Sequence, residues 1–176
     1  MSIELRAKLP KIAANAFEIF STSEHWELFP DTAEALVALK RQGLTLGVVS
    51  NNDERVCEPL PFFILSLFEF GLTFFLSFLK AKILRSLGIQ EHFSFVITSR
   101  GFGRAKPSPE IFQEALLEAG VTDPQQAMHV GDDMERDIRG ARKAGMRGLL
   151  LDRSGREFRD EKGIKSLNEL MAHVVV

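Results

Sequence analysis

The run VGDDMERDIRGARKAGM, Val130 to Met146, decides how this chain is to be read. The apolar stretch AMHV before it has the makings of a short strand, and the residues after it have the spacing of an amphipathic helix. Asp132 and Asp133 leave the carboxyl end of the strand, and Asp137 lies four residues beyond Asp133, on the same helical face. The three carboxylates are predicted to converge on one point. A hard cation such as Mg2+ takes carboxylate oxygens together with waters and phosphate oxygens, and a GDDxxxD run supplies that ligand type. The competing reading of the same acids is a helix N-terminus whose dipole they complement.

Two further stretches sharpen the reading. LGVVSNND, Leu46 to Asp53, is an apolar run ending in Ser50 and Asn51. A hydroxyl at the end of a buried strand, followed by turn-forming Asn residues, can hydrogen-bond a phosphoryl oxygen. GRAKPSPEIF, Gly103 to Phe112, sets Lys106 before Pro107 and before a helix that starts near Ser108 with Pro109 in its first turn. A lysine fixed in an X-Pro context is placed to neutralise phosphate charge, although an isolated Lys-Pro is more often a solvated loop.

In this order, a strand ending in Ser-Asn, a Lys-Pro before a helix and a GDDxxxD run resemble motifs two, three and four of the haloacid dehalogenase superfamily, in its phosphatase-type branch. The resemblance covers roughly residues 10 to 55 and 83 to 155. It implies a Rossmann-like α/β core, a parallel sheet covered by helices, acting on a small phosphorylated molecule with Mg2+. It further implies that Ser50 and Asn51 contact phosphate, that Lys106 holds phosphate and nucleophile together, and that Asp132 ligates the metal directly. Asp133 or Asp137 then binds through water or orients the shell.

The family's first motif is a DxD at the end of an apolar strand, its first Asp the nucleophile. This chain contains no D-x-D. Asp31, in FPDTAEAL, reads as a helix N-cap with Glu34 completing a capping-box pattern, and Asp53 lies in a turn. Phosphoryl transfer through a covalent intermediate loses most of its rate without the nucleophile, so little or no phosphatase activity and weak or lost Mg2+ binding are expected. The resemblance makes the DxD strand central, between the strand carrying Ser50 and the strand leading to Asp132. Without it those strands either pair directly or face a gap. KIAANAFEIF has Ile12, Ala16 and Phe20 at helical spacing, so residues 1–29 are expected to be a cap-domain remnant and return linker, and residues 30–176 an incomplete core.

Residues 56–80 form an anomalous apolar insertion in that core. Seven of the 15 Phe residues fall between Phe62 and Phe78, and Glu69 is the single charge between Phe62 and Leu79. The length permits a membrane span. Glu69 near its centre costs roughly 2.5 to 3.5 kcal/mol on insertion, which the Phe and Leu residues offset. A span here would put Ser50 and Lys106 on opposite sides of a bilayer, so a membrane partner is not favoured. The Phe, Leu, Ser and Pro content fits pyrimidine-rich codons better. Val56-Cys57 can be encoded by a splice-donor sequence and Lys80 can end in AG, so the segment reads as a translated intron whose removal joins SNNDER to AKILRSLGIQEHF.

The rest is one modest domain. With 176 residues, 45% apolar content and a net charge of -2, the chain can bury a single core and carries no basic excess for nucleic acid. Arg136, Arg139, Arg142 and Lys143 read as a solvated helix face, and His129 as a residue that packs or hydrogen-bonds locally. Cys57 is the only cysteine, which excludes an intrachain disulfide. MSIELRAKLP is too polar for a signal peptide, so a cytoplasmic or nuclear-permissive location is expected. Helices are predicted at 31–42, 109–119, 134–144 and 166–173, and strands at 44–49, 94–98, 127–130 and 147–151, with Gly43, Gly120 and Gly145 as helix stops. Ile111, Ala115, Leu116, Met134, Ile138 and Ala141 are core candidates. Three functional readings follow: a hydrolase domain of the haloacid dehalogenase type without its nucleophile, a non-catalytic phosphate or Mg2+ module built on Asp132, Lys106 and Ser50, and a protein anchored through residues 62–79.

Overall fold

Helix–strand alternation is the organising feature of the computed structural model, which describes residues 26–51, 83–155 and 163–174, with Lys8, Lys11 and Asn15 singly. The apolar insertion at 56–80 and Asp53 lie outside the described residues, as does nearly all of the expected cap remnant. In chain order come α1 (Thr32–Arg41), β1 (Gly47–Ser50), β2 (Phe95–Thr98), α2 (Ser99–Phe102), α3 (Pro109–Glu118), β3 (Met128–Gly131), a π-helical turn (Met134–Arg139), α4 (Gly140–Lys143), β4 (Arg147–Leu150) and a 3-10 helix (Leu167–Ala172). Helices α1 and α3 and the segment through α4 run into Gly43, Gly120 and Gly145, each with φ between 67° and 84°. Those left-handed residues turn the chain off the helix at no steric cost, which is why the glycines were legible as stops.

The strands form two parallel pairs. β1 lies beside β2 with Val49 opposite Ile97, and β3 beside β4 with Val130 opposite Leu149. Among the described residues β1 is not paired with β3, so direct closure of the two strands is not the outcome. The carbonyl of Leu46 accepts from Ser94 N on the β2 side. Carbonyls alternate along a strand, so that of Val49 turns to the opposite edge. Likewise Ala127 and Gly131 offer their carbonyls to Arg147 and Leu151 on the β4 side, which turns those of Met128 and Val130 away from β4.

Strand side chains alternate between two cores. Val49, Phe95, Ile97 and Ala127 pack with α3 and α4 around Ile111, Phe112, Ala115, Leu116 and Ala141. Leu46, Met128, Val130, Leu149 and Leu151 pack on the other face with Leu39 of α1, Ile164 and Leu170. Sheets covered on both faces are the mark of parallel α/β folds. Phe112, Ile111 and Ile138 are completely buried, each contributing about 1.5–3 kcal/mol by its removal from water. Of the predicted core only Met134 is half-buried instead.

Asp31 departs from its expected role. It stands before α1 but makes no side-chain cap bond. Its carboxylate instead takes two bonds from the Arg153 guanidinium at 2.9 Å each, one from Ser166 Oγ at 2.7 Å and one from Leu167 N at 2.7 Å. The Arg153 hydrogen bonds, opposed by burial and aided by Ser166 and Leu167, hold the carboxyl far below the usual carboxylate range. Arg153 also lies 4.1 Å over the ring of Phe29. A bidentate guanidinium is a stronger partner than the α1 amides, so the capping-box motif fails here. The capping box that does form is Ser166 with Glu169, at the 3-10 helix.

Candidate active site

Three segments meet at the carboxyl ends of β1 and β3. Asn51, just past β1, receives Lys106 N on Oδ1 at 2.8 Å and donates Nδ2 to the carbonyl of Lys106 at 2.9 Å. Both ends of its amide are thus engaged by the backbone of the lysine. The amide offers one acceptor and two donors, so this pairing leaves one Nδ2 hydrogen uncommitted to Lys106. Ser50, half-buried, ends β1 opposite Thr98.

With its backbone clamped, Lys106 sends its ammonium to the Val49 carbonyl, 3.0 Å away, and to Asp137 Oδ1, 2.6 Å away. The ammonium so joins the outward edge of β1 to the segment following β3. Both side chains are nearly buried, 12% exposed for Lys106 and 6% for Asp137. An ammonium has three donors, and two are used here.

Asp137 reaches this point through a local distortion. Ile138 N bonds the Asp133 carbonyl at 3.3 Å across five residues, so the turn from Met134 to Arg139 is wider than an α-helix. It folds Asp137 back over Gly131, where a Cβ would stand 2.3 Å from the carboxylate carbon. Asp137 Oδ2 accepts from Asp133 N at 3.0 Å, and Oδ1 is also 3.0 Å from His129 Nε2. Burial opposes ionisation of this carboxyl most strongly, yet the His129 and Lys106 hydrogen bonds and the lysine charge outweigh it and hold the group far below its ordinary value.

The predicted convergence of three carboxylates does not occur. Asp133 caps the turn: its Oδ1 accepts from Glu135 N and Arg136 N, and Oδ2 takes Arg136 Nε at 2.8 Å. The Arg136 amide first, against burial and with the Arg136 guanidinium, lowers its pKa. Asp137 is engaged on both oxygens, and Asp132 alone is exposed at the strand end. Among the described residues no group of three or more His, Cys, Asp or Glu could hold a metal ion, so this donor set does not fit Mg2+ by itself. The helix-terminus reading of these acids holds for Asp133. Arg136, Arg139 and Lys143 are exposed and paired with Asp133 or Glu135, which agrees with a solvated face.

His129 was not legible as part of this site. Its pattern signal, an inward position on β3, is that of any core residue, and only the fold brings Asp137 to it.

The family comparison agrees with this geometry. Residues 3–145 match the haloacid dehalogenase-like hydrolase family. The chain is 34% identical over 173 residues to haloacid dehalogenase-like hydrolase domain-containing protein 3 of Danio rerio, covering 96% of this chain and 61% of that protein. It is 32% identical over 140 residues to a phosphoserine phosphatase of Thermus thermophilus, covering 80% of this chain and 46% of that one. The chain thus spans about half to three fifths of the length of these relatives. Among solved structures it is similar to a 2-haloacid dehalogenase from Pseudomonas syringae, with a TM-score of 0.64 and 28% identity over 92% of this chain and 60% of that one. A phosphatase of the same superfamily from Thermococcus onnurineus shares the fold at a TM-score of 0.68 and 24% identity, covering 89% of this chain and 62% of that one. With the parallel α/β core, the clamped Lys106 and the family match over most of its length, this chain belongs to the haloacid dehalogenase-like hydrolases.

Proposed function

We propose that this domain recognises the phosphoryl group of a small phosphate monoester through Lys106 and Ser50, and that the chain as it stands turns such esters over little or not at all. The observation that carries the reading is the Lys106 ammonium, anchored to Val49 and Asp137 with one donor left to offer beyond the strand ends. Asn51 contributes by fixing the lysine backbone, and Asp137 by fixing its head group. The phosphoserine phosphatase among the relatives supports a phosphomonoester as the substrate class. The absence of a D-x-D from the sequence supports the lack of turnover, since the remaining groups position and neutralise phosphate but form no covalent intermediate. Of Asp132, Asp133 and Asp137, Asp132 is the carboxylate left to meet Mg2+, and alone it supports weak binding at most.

The test is titration of the full chain with inorganic phosphate, alongside a turnover assay with a chromogenic phosphomonoester. Phosphate should bind, Lys106→Ala should weaken it about tenfold or more through loss of a charge-assisted bond, and turnover should stay at the blank. Equal binding by Lys106→Ala overturns the recognition, and Mg2+-dependent turnover overturns the inactivity.

A further inference from the structure

We propose that His129 is a positioning residue of this site, which holds the Asp137 carboxylate and through it the ammonium of Lys106. The inference rests on the reading of Lys106 as the phosphate-binding cation. Asp137 Oδ1 is shared: it lies 2.6 Å from Lys106 Nζ and 3.0 Å from His129 Nε2. Because the carboxyl is ionised it only accepts, so the proton between them sits on Nε2 and the imidazole donates. Without that donor Oδ1 answers to the lysine alone, and the carboxylate, held then through Oδ2 by Asp133 N, loses the second anchor that keeps it from pivoting with a flexible ammonium.

The imidazole is itself held. It stands edge-on to Phe112, with ring centroids 5.0 Å apart, and Phe112 is completely buried at the centre of the α3 core. His129 lies on β3 two residues before Gly131, whose missing Cβ leaves the space Asp137 occupies. A rigid core contact is thereby linked in series to the imidazole, the carboxylate and the ammonium. The chain of contacts runs from the hydrophobic interior to the Lys106 ammonium, and no other described residue bonds Oδ1. Its effect is order at Nζ, which lowers the entropy lost when a phosphate is bound.

The full chain, His129→Met, His129→Gln and Lys106→Ala are compared by two measurements. One is the 1H–15N signal of the Lys106 ammonium, visible only while its hydrogen bonds slow exchange with water and assigned by its loss in Lys106→Ala. The other is inorganic phosphate affinity. His129→Met, similar in bulk but without a donor, should lose the ammonium signal and bind phosphate about threefold to tenfold more weakly, a fraction of a charge-assisted bond. His129→Gln, which restores an N–H donor, should keep the signal and most of the affinity. A folded Met variant with wild-type signal and affinity overturns the inference while the phosphate reading stands. Equal phosphate binding by wild type and Lys106→Ala overturns both. If the Met variant does not fold, the Gln variant decides: retention of signal and affinity supports the role, and loss in a folded protein overturns it.

Discussion

The side-chain amide of Asn51 pairs with both backbone groups of Lys106, two bonds of 2.8 and 2.9 Å across 55 residues of sequence. This pairing, more than any contact of the lysine head group, fixes where the 103–108 loop leaves α2 and where its cation can reach. Asn51→Ala should destabilise the domain by about 1–3 kcal/mol, since two backbone groups lose partners in a half-buried place. Urea unfolding checks this, and the same variant should weaken phosphate binding although Lys106 is intact.

Gly131→Ala puts a methyl group where the Asp137 carboxylate lies, at 2.3 Å. The atoms met are all of the Asp137 side chain, which Asp133 N, Lys106 and His129 hold in place, so the strain has no cheap outlet. A loss of about 1–3 kcal/mol is expected, as for overpacked cores. Phosphate affinity should fall with it.

Asp31 gives a pH signature. Its folded pKa is depressed, so its contribution to stability is fully present above the ordinary value of 3.8 and is lost as pH falls below it. Asp31→Asn should be about 1.5–3 kcal/mol less stable than wild type at neutral pH. Below about pH 3.8 that gap should close by roughly 1.4 kcal/mol per pH unit. Denaturant midpoints of both proteins from pH 7 to pH 2.5 measure it, and a gap that stays constant with pH contradicts the assignment.

Millimolar Mg2+ should stabilise the chain by less than about 0.4 kcal/mol, the value reached when the free ion equals its Kd. Asp132→Asn should melt at the same temperature with and without the ion. A clear Mg2+-dependent rise in melting temperature that Asp132→Asn removes would show a working cation site.

The parts of the fold governed by local rules were legible. Helix stops at Gly43, Gly120 and Gly145, the buried faces of α3 and α4 and the four strands follow from short-range pattern. The strand that carries Ser50 begins three residues later than its apolar run suggests, because Leu44 and Leu46 pack into the α1 core before pairing starts. What the sequence hid are competitions settled by distant partners. Asp31 abandons its cap for Arg153, 122 residues away. Asn51 pairs with the backbone of Lys106, 55 residues away. Asp133 caps the turn while Asp137 turns to Lys106 and His129, in a π-helical geometry for which GDDxxxD carries no local signal. Lys106 stands between β1 and the segment after β3, bonded to Val49 and Asp137, contacts its Lys-Pro setting did not specify.

The bonds that place Lys106 join residues 55, 57 and 31 apart. Contacts that close such long loops cost chain entropy before they return any enthalpy, so they are expected to form after the local helices. The lysine is therefore expected to be organised only after the helices have formed. A partly folded chain can show its full helix content and still present no organised cation, so phosphate protection of the amides around Asn51 and Gly131 reports completion of folding, where circular dichroism reports only its beginning.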